Sequence, residues 1–260
     1  MDKLPPFSPV LNRLLATLAE EDVSFGKLAD LIEKDTVLAG NVLKLVNSGM
    51  YGRRSNVNSV RHAVAILGAA KLRNAALGMS VTRMWSSIQT PPGWSMARFN
   101  LHSIATAILA DLLSQEVRVV YPEGAFVAGL LHDMGRLLTA VALPREYGEI
   151  EKLCESGART RIACEQQVLG YTHAELSGEA LAVWNLPEPI QTAVRYHHEP
   201  ERDPTEIGPG VIALSRLVQL TDEYTSQNSP ECLHGLGLDS KLARVLSEFE
   251  VEFESIKGLF

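Results

Sequence analysis

The sequence predicts an all-α protein. Three observations carry that expectation: apolar residues recur at three-to-four spacing along most of the chain, cap and stop residues bracket those stripes, and no segment alternates apolar and polar residues as a strand would. Taken in order, Pro9 to Leu18 aligns Val10, Leu14 and Leu18, and Phe25 to Ile32 aligns Phe25, Leu28 and Ile32. Asp35 can cap the next helix, whose buried stripe is Val37, Leu38, Val42, Leu45 and Val46. Asn47-Ser48-Gly49 stops it, and Gly52 to Asn58 reads as a loop. Ser59 to Leu67 is a short helix ended by Gly68, and Ala70 to Trp85 a longer one. Thr90-Pro91-Pro92-Gly93 then breaks the pattern and marks the best internal boundary. Beyond it, Asn100 to Glu116 is strongly amphipathic, while Gly124 to Val141 is apolar nearly all round and predicts a buried central helix. Thr172 and Glu175 have the form of a capping box for a helix reaching about Trp184. Pro189 to His198, Val211 to Tyr224 and Lys241 to Phe260 complete the set.

The chain's 260 residues, 46% hydrophobic and 21% charged, are ordinary for a globular protein with a real core. No apolar run of membrane-spanning length stands out, and the N-terminus lacks the form of a signal peptide. Cys154, Cys164 and Cys232 are odd in number and match no zinc spacing, so a cytoplasmic protein with reduced thiols and no membrane contact is expected. A net charge of −7 argues against general nucleic-acid binding. The charge is uneven. Thr36 to Ala110 holds eight Lys and Arg residues and no acid, which leaves −15 on the remainder. Either this basic segment packs beside an acidic one, or it offers a surface to a nucleotide, a phosphorylated partner or an acidic protein face.

Five of the seven histidines fall in one ordered series: His102, His132 followed by Asp133, His173, and the pair His197-His198, with Asp222 closing it. Imidazoles together with carboxylates suit a divalent metal such as Fe, Mn, Zn or Mg. Alone, His102 reads as a structural residue at the edge of its apolar stripe. Asp133 is different, because it lies among Val127 to Gly135, where a bare carboxylate is costly to bury and must find a cation, a metal or several donors. His173 falls in the first turn of its helix, able to point off the end into a cleft. His197 and His198 fall in a last turn, about 100° apart, where at most one usually shares the core face and a charged imidazole could also complement the helix terminus. As a set on several helices, they fit a metal site built from inward residues of a bundle.

The order of these residues, with Leu4-Pro5-Pro6-Phe7, Ile32-Glu33-Lys34-Asp35, Leu43 to Ser48, Ala63 to Gly68, Gly129 to Leu137 and Trp184 to Pro187, resembles the HDOD family, the HD-related output domain of bacterial signalling proteins. The resemblance runs from Leu4 to about Tyr224. It implies an HD-domain-like helical bundle with an N-terminal helical subdomain, here residues 1–90 and 91–260 of one continuous module. It also implies a regulatory role, with a signalling protein or a nucleotide second messenger as partner. The related HD-GYP enzymes hydrolyse cyclic di-GMP at a multinuclear metal centre. By that resemblance His102, His132, Asp133, His173, His197, His198 and Asp222 correspond to metal ligands, and Asp133 and Arg136 to residues serving hydrolysis. The alternative function is therefore a metal-dependent phosphohydrolase of the HD type.

Three positions differ from those enzymes. No Gly-Tyr-Pro follows His198, Arg136 stands in place of a lysine, and Arg98 stands where a carboxylate precedes the first histidine by one turn. Arginine can clamp phosphate but does not readily give up a proton.

Overall fold

The computed structural model describes residues 7–19, 24–48, 57–155, 157 and 159–259. Among these residues the chain is helical, with fourteen α-helices, short 3-10 turns and no strand. One isolated parallel bridge pairs Val119 with Ile212. By internal contacts the chain divides into Ile88–Leu242 and a second unit of Pro6–Ser87 with Ala243–Phe260.

In the second unit, α1 (Pro9–Ala16), α2 (Phe25–Glu33), α3 (Thr36–Val46) and α4 (Val60–Leu67) begin at Ser8, Ser24, Asp35 and Ser59, each side chain accepting from backbone amides of its first turn. Gly68, at φ +81°, ends α4 and starts α5 (Ala69–Ser86), a backbone state that glycine adopts without cost. Asn47 does more than stop α3. Its amide donates to the Val57 carbonyl at 2.8 Å and its oxygen accepts from the Val57 amide at 2.7 Å, tying together the two ends of the intervening loop. That loop, with Arg53 and Arg54, lies outside the described residues except for Val57 and Asn58.

Three of the eight basic residues of the acid-free segment meet acids within this same unit. Arg61 pairs with Asp30 at 2.5 Å, Lys71 with Glu252 at 2.6 Å, and Arg83 with Asp35. Glu252 belongs to α14 (Asp239–Ile256), on which Val245, Phe249 and Ile256 are buried. From Ala243 onward the terminal helix thus counts with the N-terminal helices, whereas the sequence reading had assigned it to the bundle.

The bundle, Ile88–Leu242, is built around α6 (Met96–Ser114) and α7 (Ala125–Leu131), whose seven residues are all buried. Gly129 permits the contact: a Cβ there would lie 2.9 Å from the Ala107 Cα. The expected single helix from Gly124 to Val141 is broken at His132-Asp133, and α8 (Met134–Ala142) starts immediately after. α8 packs against α11 (His173–Val183) so closely that a Cβ on Gly135 would sit 2.1 Å from the His173 carbonyl oxygen. Two helices had no counterpart in the sequence reading, α9 (Pro144–Glu155) and α10 (Arg161–Leu169). Each buries only two residues and so presents hardly any apolar stripe. α12 (Glu188–Arg195) and α13 (Leu214–Gln227) complete the unit.

By length and composition alone, Pro122–Ala142 could cross a membrane, contrary to the expectation that no such run exists; 83% of that window is buried inside the fold. Its apolar character is that of a core helix pair.

Candidate metal centre

The junction of α7 and α8 lies at the site: His132 keeps helical backbone angles (φ −54°, ψ −41°) and the path loosens at Asp133 (φ −93°, ψ 5°) before α8 begins. His132 is fully buried and Asp133 is 3% exposed. Around them converge His102 from α6, His173 from the first turn of α11, His197 and His198 from the turn after α12, and Asp222 from α13. All seven residues named from the sequence are therefore together.

They form two groups. In one, His102 Nε2 lies 3.3 Å from His132 Nε2 and 3.1 Å from Asp222 Oδ1. In the other, His173 Nε2 lies 3.0 Å from His198 Nε2 and 3.0 Å from Asp133 Oδ1, with His197 beside them. Asp133 stands between the groups, its Oδ1 3.7 Å from His132 Nε2 and its Oδ2 3.9 Å from His102 Nε2. Within each group the candidate ligand atoms lie within 4.8 Å of one another, and each group can hold a metal ion.

The tautomers are fixed from behind. Nδ1 of His132 faces the Gly129 carbonyl at 2.8 Å and Nδ1 of His197 faces the Val194 carbonyl at 2.7 Å. A carbonyl only accepts, so these nitrogens carry the protons and each Nε2 of a neutral ring presents its lone pair to the cluster. His173 Nδ1 donates to Glu165 Oε2 at 2.7 Å, and the same oxygen accepts the His173 amide at 2.8 Å. His197 Nε2 is buried with no hydrogen-bond partner among the described residues. A lone pair left this way is costly to bury, and a cation is its natural partner.

The ring-to-ring spacings suit that partner. Nitrogens about 2.0–2.1 Å from one metal lie about 2.9 Å apart at a right angle and about 3.4 Å apart at the tetrahedral angle. The observed 3.0 and 3.3 Å fall in this interval.

The electrostatics show what the cluster lacks. Burial opposes ionisation of Asp133, yet Arg136, His132 and His173 outweigh it and hold this carboxyl well below its ordinary value. Asp222 is likewise lowered against burial by His102 and His132. Burial also opposes a charge on His173, but Asp133 and Glu165 push it up to about 9. His198 goes the other way, to about 4, through burial and the neighbouring His173. His197 is driven well below its ordinary value by burial and by the imidazoles around it. Two buried carboxylates thus hold protons on some imidazoles while others stay neutral. A divalent ion would displace such protons and satisfy both kinds of group.

Several details differ from the sequence expectation. His197 and His198 both reach the cluster, with ring centroids 4.0 Å apart. The helix ends at Arg195, so its 100° spacing no longer separates them. Arg136 donates from Nη1 to Asp133 Oδ2 at 2.5 Å and also lines a cleft beside the cluster together with Arg98 and His102. Thr225, whose hydroxyl is 3.5 Å from His102 Nδ1, was not singled out, although it sits one turn beyond Asp222 on the same helix face. Glu165 was missed because α10 carried no readable pattern. Thr172 and Glu175 form the expected capping box, which sets the start of α11 and hence the direction of His173.

An uncharacterized protein from Treponema pallidum (strain Nichols) is 25% identical over 236 residues, 88% of this chain. The chain spans only 44% of that relative's length. Among solved structures, an HDOD domain protein of unknown function from Geobacter sulfurreducens superposes with a TM-score of 0.79 at 24% identity, covering 100% of this chain and 94% of the other. A candidate phosphohydrolase from Shewanella amazonensis SB2B gives 0.78 at 20% identity, covering 99% and 95%. These likenesses establish the fold. The HDOD domain family itself matches residues 4–200, most of the sequence, and with the helical architecture it places the protein: this chain belongs to the HDOD domain family.

Proposed function

We propose that this chain is a signal-transduction module of the HDOD type in which the His/Asp cluster holds two divalent metal ions. His102, His132 and Asp222 would hold one, His173, His197 and His198 the other, and Asp133 would lie between them. The observation that carries the metal half is His197: its Nδ1 is tied to a carbonyl and its buried Nε2 has no partner among the described residues. A purely structural histidine would have been satisfied on both sides, or replaced without loss by an apolar residue. The regulatory half rests on family membership, with an upstream signal reaching the domain through another protein or a nucleotide.

Titration of chelator-treated protein with Mn2+ and Zn2+ tests the metal half. The intact chain is expected to bind metal and gain thermal stability by mass action. His197→Leu is expected to bind far more weakly. Equal behaviour of the two proteins, or no binding to either, would overturn the reading.

A second reading, phosphoester hydrolysis, is favoured by one observation. The cleft beside the cluster brings Arg136 and Arg98 next to His102. Bound divalent metal would supply Lewis acidity and acidify water at this site. Arg136 would then hold the phosphate, and Asp133, already paired with it, would orient the attacking water. Water would add to phosphorus as the ester P–O bond breaks, and its proton would pass to the leaving oxygen. The Shewanella amazonensis neighbour's description points the same way. Release of phosphate or alcohol from a panel of mono- and diesters by metal-loaded protein tests it, and no turnover with any metal would leave the regulatory reading alone.

A further inference from the structure

The cleft beside the metal cluster has a second wall that metal chemistry does not require. Trp94, Phe99 and Tyr147 meet there, with the Trp94 ring centroid 5.2 Å from Phe99 and 5.6 Å from Tyr147. Trp94 is only partly buried and lines the cleft. The same cleft is lined by Arg98, which is exposed, and by Arg136, paired with Asp133. One carboxylate, Glu151, also lines the cleft, but Arg161 Nη2 holds it at 2.6 Å, which offsets its charge. Arg98, the Arg136–Asp133 pair, the Glu151–Arg161 pair and aromatic side chains thus share a single cleft.

Its volume, about 290 Å3, stands at the lower end of small-ligand sites, which run about 300–1,000 Å3. A ligand the size of one base with its sugar and phosphate is on this scale.

We propose that this cleft binds a single-base nucleotide, with the base stacked on Trp94 and the phosphate held by Arg98 and Arg136 toward the His/Asp cluster. The inference names the ligand class for the site described above and rests on that reading for the direction of the phosphate. The base increment does not depend on metal. Bases stack on aromatic side chains whatever their sequence identity, and planar guanidinium groups pair with phosphate oxygens through two parallel donors. Arg98 also gives a physical sense to its place in the sequence. One turn before His102 it puts positive charge, not another carboxylate, where an anion would enter.

The test is isothermal titration of the whole chain with adenosine, guanosine, cytidine and uridine 5′-monophosphates, with the parent nucleosides, and with inorganic phosphate. It is run once after chelator treatment and once loaded with Mn2+. At least one nucleotide is expected to bind about ten-fold or more tightly than either phosphate or its nucleoside. Trp94→Ala is expected to erase the nucleotide's advantage over phosphate, and Trp94→Phe to keep most of it. Arg98→Ala is expected to weaken nucleotide and phosphate together. Unfolding curves of all three variants identify any that fail to fold, and Trp94→Phe then carries the comparison. Nucleotide and phosphate binding equally, or Trp94→Ala leaving the preference intact, would overturn the proposal. A base preference in protein that takes up no metal would sink the metal reading and leave this one standing; metal uptake without a base preference would do the reverse.

Discussion

Replacing Gly135 by Ala is the sharpest probe of how the site is held. The added Cβ would lie 2.1 Å from the His173 carbonyl oxygen and 2.8 Å from its carbon, so α8 and α11 would have to separate by close to an ångström. Overpacking of that kind costs about 1–3 kcal/mol. The Gly135 amide also donates to Ser177 Oγ at 2.7 Å, and lengthening that buried hydrogen bond adds about 1 kcal/mol. Alanine's better helix propensity returns at most about 1 kcal/mol. The net expectation is a loss of about 1–3 kcal/mol, read as a melting temperature lower by several degrees in a chain of this size. Because Asp133 and His173 sit at the two sides of the contact, metal uptake should fall as well. Gly148→Ala is the control, since nothing lies within 4 Å of a Cβ there; it should be neutral or slightly stabilising. Differential scanning calorimetry of both variants decides the matter. A Gly135→Ala protein as stable as its parent would refute the close helix contact as the element that positions Asp133 against His173.

Glu165→Gln keeps an oxygen for His173 but removes the charge behind it, and metal affinity should drop about 10–100-fold in a competition titration against a chelating dye; unchanged affinity would argue that Glu165 only fills space. Asp35 tests the helical unit instead. Arg83 holds its carboxyl below the usual 3.8 against the opposing effect of burial. The stabilisation is therefore present above pH 4 and is lost as pH falls through the lowered value. Asp35→Asn retains a helix cap and removes the ion pair, so it should melt below the parent at pH 7 by the equivalent of at most about 1 kcal/mol. That gap should close as pH falls through the lowered value and narrow in 1 M salt, and a gap independent of both would show that the pair contributes nothing.

The sequence made the site's members readable but not its construction. Asp133 stands out because a carboxylate in apolar surroundings needs a partner, whereas His102, His132, His173, His197, His198 and Asp222 stand out as an ordered set and through the family resemblance. What joins them was less visible. The stretch from Gly124 to Val141, apolar nearly all round, gave no sign of the break at His132-Asp133, because a helix buried on all sides has no face whose phase could slip. α9 and α10 escaped for the opposite reason: lying at the surface, they bury too little to leave a stripe, and Glu165 went unnoticed with them. The capping box at Thr172 and Glu175, the cap at Asp35 and the stop at Gly68 were legible because each is a local rule of backbone hydrogen bonding that tertiary packing does not alter.

The central claim is that the cluster holds metal. Elemental analysis by mass spectrometry, on protein purified without chelator or affinity metal, tests it most directly. Two candidate groups, one of them including Asp133, predict close to two divalent ions per chain, with His197→Leu substantially depleted. Protein that carries no divalent metal, and takes up none when Fe2+, Mn2+ or Zn2+ is supplied, would contradict it.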